Sequence, residues 1–192
     1  MAGKYAAMSR ARLYAVVKAV QYVHRNELPG SVAICGVARG GCALAVARAF
    51  RNVGVLDRRI WLYDTFDGKS RHDYDDYEVS RDYVAEILEK RCPQYDQSAF
   101  VYVEGMVEDT IPQRVPDAIS ILHLDTDWYE STKHELIHLW PRLVAGGVVL
   151  IDDYGCWDGA RRAVDEYIEE NNIRLLLTPV DYTGRLGVKI GA

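Results

Sequence analysis

Two stretches, Ile121-Leu122-His123-Leu124-Asp125-Thr126-Asp127-Trp128-Tyr129-Glu130-Ser131-Thr132 and Val149-Leu150-Ile151-Asp152-Asp153-Tyr154-Gly155, share one design. Each is an apolar run of strand length that ends abruptly in carboxylates. Continuous apolar runs of this length read as strands of a parallel sheet buried on both faces. In such a sheet, ligands bind at the carboxyl ends of the strands. If the two runs are neighbours, Asp125, Asp127, Asp152 and Asp153 share one small volume. So many like charges repel unless a cation neutralises them or some take up protons. The reading is a divalent-metal site beside a catalytic base. Oxygen-only ligands suit a hard cation such as Mg²⁺, Mn²⁺ or Ca²⁺.

Outward from these runs, strand-like and helix-like patterns alternate, which predicts one α/β domain over residues 1–192 with a mostly parallel sheet. Leu13, Val16, Val17 and Val20 recur at helical spacing and predict an N-terminal helix over about 8–26. Strands are expected at 31–36, 59–64, 99–104, 118–125 and 148–153. A helix with Leu136, Leu139, Trp140 and Leu143 on one face joins the last two. Segments 173–179 and 185–190 flank Asp181-Tyr182-Thr183-Gly184 as a closing antiparallel hairpin, bringing the sheet to seven strands. One segment breaks the rhythm. Residues 67–82 carry six Asp or Glu against three Lys or Arg, which fits either a solvated acidic loop or a lid over the strand ends.

A formal charge of −5 argues against nucleic acid or an anionic membrane as partner, since both need a basic surface. Cys35, Cys42, Cys92 and Cys156 show no C-x-x-C and no zinc-ribbon spacing, so reduced thiols in a cytoplasmic protein are expected. No secretory leader and no membrane span is read from the sequence.

Further motifs sit where strands give way to helices. Gly36-Val37-Ala38-Arg39-Gly40-Gly41 follows the first strand, where backbone amides and a helix N-terminus approach a ligand closely. It lacks the dinucleotide pattern G-x-G-x-x-G. Asp64-Thr65-Phe66-Asp67-Gly68 ends the second strand, and an acid there accepts hydrogen bonds from both ribose hydroxyls of a nucleoside, or else caps a turn. Glu104-Gly105-Met106-Val107 ends the third, with apolar atoms suited to adenine. His134-Glu135-Leu136-Ile137-His138 spells H-E-x-x-H, yet a helical wheel turns both histidines away from the apolar stripe and toward solvent. No third ligand follows at protease spacing, so zinc proteolysis is set aside.

In their order, the glycine turn, the Asp64–Gly68 segment, the D-T-D-W-Y-E-S-T block from Asp125 to Thr132 and Ile151-Asp152-Asp153-Tyr154-Gly155 resemble the macrocin O-methyltransferase family. That resemblance implies a Rossmann-like class I methyltransferase sheet with helices on both faces, S-adenosylmethionine and Mg²⁺ as cofactors, and a sugar hydroxyl of a small natural product as acceptor. It implies Asp125, Asp152 and Asp153 as metal ligands and Asp127 as general base. Cofactor contacts would come from Gly36, Val37, Arg39, Gly40, Gly41, Asp64, Thr65, Phe66, Gly105 and Met106. His123, Trp128, Tyr129, Glu130 and Tyr154 would border the site or the acceptor, and Ser131 is expected to cap the helix. A homo-oligomer is implied by the resemblance alone. One departure is Ile34, where the family carries Glu. The competing readings are a Mg²⁺-dependent phosphohydrolase, whose D-x-D would follow the first strand instead of the fourth, and a non-catalytic subunit that binds S-adenosylmethionine.

Overall fold

A computed structural model of the chain describes residues 8–68 and 80–191. The parallel strands are β1 (Ser31–Cys35), β2 (Ile60–Asp64), β3 (Phe100–Glu104), β4 (Ile119–Leu124) and β5 (Leu143–Ile151). Two short strands follow, β6 (Thr178–Pro179) and β7 (Arg185–Val188). They form one seven-stranded sheet in the order β3-β2-β1-β4-β5-β7-β6, with β7 antiparallel to both neighbours. The order reverses between β1 and β4, so a crevice opens at the carboxyl ends of those two strands, where α/β sheets bind ligands.

The helices are α1 (Arg10–Arg25), α2 (Gly41–Asn52), α3 (Arg81–Arg91), α4 (Val107–Thr110), α5 (Tyr129–Leu139) and α6 (Asp158–Glu170). Strand side chains alternate faces with a period of two. Val32, Ile34, Leu62 and Ile121 therefore pack with α1, α2 and α3, while Ala33, Cys35, Leu122 and Leu124 pack with α5 and α6 on the other face. Each large aliphatic side chain buried this way contributes about 1.5–3 kcal/mol. Ile34 belongs to the first of these cores and is fully buried, so its apolar side chain suits its place.

Three boundaries differ from the sequence expectation. Helix α5 stops at Leu139, and Trp140–Arg142 tightens into a 3-10 turn. Pro141 has no N–H to continue the helical ladder, so Leu143 opens β5 instead of closing the helix. The strand expected at 173–179 pairs only at Thr178 and Pro179, with Leu186 and Arg185 of β7. The acidic segment expected at 67–82 falls largely on residues 69–79, outside the described residues. Among the described residues, no helix is long and apolar enough to cross a membrane.

Candidate active site

The pairing of β4 with β5 sets Leu124 beside Ile151, and the Asp152 N–H donates to the Leu124 carbonyl at 2.9 Å. Asp125 and Asp152 therefore leave the sheet side by side. Possible ligand atoms of His123, Asp125 and Asp152 lie within 4.8 Å of one another, as do those of Asp125, Asp127 and Asp153. Asp125 belongs to both groups, so all four aspartates meet around it. β1 ends against the same spot. A Cβ on Gly36 would stand 2.0 Å from the Asp125 carbonyl oxygen, which only glycine avoids. Asp127 adopts a left-handed backbone with φ of 67°, a conformation rare outside glycine.

Burial drives the Asp125 carboxyl well above the usual carboxylate range, and the charges of Asp152 and Asp153 add to the push. Asp153 is pushed up to about 8, first by burial and then by Asp127. A cluster held this way favours protons or a cation. The donor set of clustered carboxylate oxygens fits a hard divalent ion. One cation is already supplied by the chain: Arg12 of α1 forms an ion pair with Asp152, and its Nε donates to Asp181 at 3.1 Å. Burial raises the Asp181 carboxyl, but hydrogen bonds from Ser9 and Gly184 and the Arg12 charge outweigh it and hold the group at about 2. His123 is buried beneath this cluster with Nε2 3.7 Å from Asp152 Oδ1.

Beside the aspartates lies a cavity of about 390 Å³, whose walls include Gly36, Asp64, Thr65, Gly105, Met106, Asp125 and Asp127. Asp64 accepts from the N–H groups of Val37 at 2.7 Å, Ala38 at 3.0 Å and Phe66 at 2.9 Å. It thus ties the glycine turn to the end of β2 while facing the cavity, and a carboxylate has further lone pairs to offer. Val37, Gly40 and Gly41 are buried within the turn and the start of α2, and Arg39 is exposed. Phe66 packs into the core against Tyr102, with ring centroids 6.0 Å apart.

The residues expected to border the acceptor separate. Trp128 is on the cavity wall. The Tyr129 hydroxyl donates to Glu166 at 2.6 Å, and the Tyr154 hydroxyl donates to Asp165 at 2.7 Å, both on α6. Glu130 is exposed. Ser131 does not cap α5 from outside; it lies within the first turn, and its hydroxyl donates back to the carbonyls of Thr126 and Trp128.

Two residues at the site carry no prior assignment, Arg12 and Glu135. Glu135 is fully buried, accepts from the Thr126 hydroxyl at 3.0 Å, and is pushed up to about 8, chiefly by burial. A faint sequence signal exists for it: residues four apart on a helix lie about 40° from each other, which sets Glu135 beside Leu139 on the buried stripe. Nothing local marks Arg12, whose partners lie more than a hundred residues away in the chain. The H-E-x-x-H histidines are half-buried instead of solvated. Their rings meet at a tilt of 59° with centroids 4.5 Å apart, and His134 Nε2 lies 2.9 Å from the Ile111 carbonyl oxygen.

The family profile described as macrocin-O-methyltransferase (TylF) matches residues 2–186. Demethyldecarbamoylnovobiocin O-methyltransferase of Streptomyces niveus is 30% identical over 186 residues, covering 90% of this chain and 71% of that protein. Mycinamicin III 3''-O-methyltransferase of Micromonospora griseorubida is 30% identical over 190 residues, covering 90% and 74%. The solved structure of the O-methyltransferase NovP superposes with a TM-score of 0.88 at 28% identity, covering 97% of this chain and 83% of that one.

Proposed function

The chain belongs to the macrocin O-methyltransferase family and is an S-adenosylmethionine-dependent O-methyltransferase, and we propose that it methylates a sugar hydroxyl of a natural product with Asp127 as the general base. The supporting observation is that Asp125 and Asp127 line the same cavity as Gly36 and Asp64. The base and the cofactor wall thus face one space.

In this reading Asp64 accepts the ribose hydroxyls of the cofactor, and Gly36, by lacking a side chain, lets the Asp125 backbone close against the end of β1 on the same cavity wall. Asp125, Asp152 and Asp153 would hold a divalent cation, which supplies Lewis acidity to a hydroxyl too weakly acidic to ionise alone. The Asp127 carboxylate would take the hydroxyl proton as the oxygen–methyl bond forms and the methyl–sulfonium bond breaks, with S-adenosylhomocysteine as the leaving group. Trp128 on the cavity wall orients the acceptor and keeps water out. Much of the acceleration in a methyl transfer comes from such positioning. The acceptor class rests on relatives whose names specify modified natural products, one of them a rhamnosyl-bearing tetracenomycin.

Asp127→Asn tests the base. With demethyldecarbamoylnovobiocin and mycinamicin III as acceptor probes, turnover is expected to fall by roughly 10²–10⁴-fold. Calorimetric affinity for S-adenosylhomocysteine should stay within about threefold, since no proton transfer enters that equilibrium. Turnover retained in the variant removes Asp127 from the base role.

A further inference from the structure

Asp125 and Asp127 are held apart by a single residue, Thr126, which lines the same cavity and is anchored by α5. The Thr126 hydroxyl donates at 3.0 Å to Glu135 Oε1 on α5. The Thr126 carbonyl accepts from the Trp128 N–H at 2.8 Å and from the Ser131 hydroxyl at 3.4 Å. Every one of these bonds converges on the residue between the two aspartates. The next residue, Asp127, sits at φ 67°. A left-handed backbone at a non-glycine residue persists only where its surroundings over-determine it.

Glu135 is an odd choice for a position with no exposure at all. Its Oε2 has no hydrogen-bond partner among the described residues, and an apolar side chain would pack there without that cost. What the acid gains is an interaction with the buried Cys35 thiol and its hold on Thr126. We propose that Glu135 is a positioning residue, which through Thr126 locks the turn that sets Asp125 and Asp127 relative to each other. The inference rests on the reading of those aspartates as metal ligand and base. Glu135 touches neither ion nor substrate in it.

Because burial pushes the Glu135 carboxyl up to about 8, glutamine is its closest electrical match at neutral pH, and it can still accept from Thr126. Valine at 126 keeps the shape and removes the donor, whereas serine keeps the donor.

The test is Mn²⁺ affinity, read from the free-ion electron paramagnetic resonance signal with S-adenosylhomocysteine present, on proteins checked for folding by circular dichroism. Thr126→Val is expected to weaken Mn²⁺ binding by roughly 10–100-fold, the usual cost of losing a group that orients a ligand. Thr126→Ser and Glu135→Gln should stay within about threefold of the wild type, since each keeps the hydrogen bond. Asp125→Ala is the control for the metal reading itself. If Asp125→Ala binds Mn²⁺ normally, the metal reading falls. If that control loses Mn²⁺ while folded Thr126→Val binds as the wild type does, the positioning role is overturned. Should Thr126→Val not fold, Thr126→Ala in the Glu135→Gln background takes its place with the same two outcomes.

Discussion

A carboxyl group sealed inside a protein resists ionisation, and Glu135 shows what this does to stability. Burial pushes its pKa up to about 8 in the folded chain, against about 4.3 for an unfolded glutamate. The folded state therefore binds the proton more tightly. The stability this gives is full below the unfolded pKa and drains away as pH rises to the folded one. Each unit of separation is worth about 1.4 kcal/mol. Glu135→Gln carries no such dependence. The melting temperature of Glu135→Gln relative to the wild type is expected to climb by several degrees from pH 5 to pH 8 and then level off. A constant difference across that range would mean that Glu135 titrates normally. At this scale the aspartates were legible in the sequence, because a strand of apolar residues ending in acid is a local pattern. Glu135 was not, since its role depends on Thr126 reaching across a turn.

Between elements, Arg12 joins three parts of the chain. Helix α1 carries it, Asp152 follows β5, and Asp181 stands in the loop before β7. The side chains of Asp152 and Arg12 are 6% and 17% exposed, so the pair is screened little by water. Hydrogen bonds to charged groups contribute about 1.5–3 kcal/mol each when lost from such sites. Arg12→Ala is expected to lower the unfolding free energy from urea titration by an amount in that range in metal-free protein, seen as a lower midpoint. The loss should shrink when Mn²⁺ is added, because the ion takes over neutralising Asp152. An unchanged midpoint without metal removes the link between α1 and the site. The elements themselves were mostly readable: five parallel strands follow from apolar runs and most of the helices between them from their periodicity, though the short α4 does not. Helix α5 ended early because Pro141 interrupts a pattern whose apolar spacing continues past it. β6 is short because only Thr178 and Pro179 pair with β7, and pairing is not written in a local pattern.

Over the whole molecule, the strand order is what turns separate motifs into one site. Asp64 ends β2, while Gly36, Asp125 and Asp152 directly follow β1, β4 and β5, and the reversal of order at β1 and β4 gathers them. Gathering them has an electrostatic cost, which the cation of the proposed reading would relieve. Asp125 is held well above its usual range and Asp153 near 8, in both cases chiefly by burial. Both are raised in the folded chain, so the stability tied to their protonated forms falls as pH rises toward those values. A metal must displace any protons present, so its apparent affinity rises with pH and flattens once the cluster is ionised. Mn²⁺ binding at pH 7 is therefore expected to release protons, measured as a calorimetric enthalpy that differs between buffers of unlike ionisation heat. The share released by Asp153 should diminish once pH exceeds its value of about 8. The gain in melting temperature on adding Mn²⁺ should grow over pH 6 to 8, as the ion relieves a repulsion that metal-free protein increasingly feels. Enthalpies identical in both buffers, with a pH-independent thermal shift, would show that the four aspartates do not act as one cation-binding cluster.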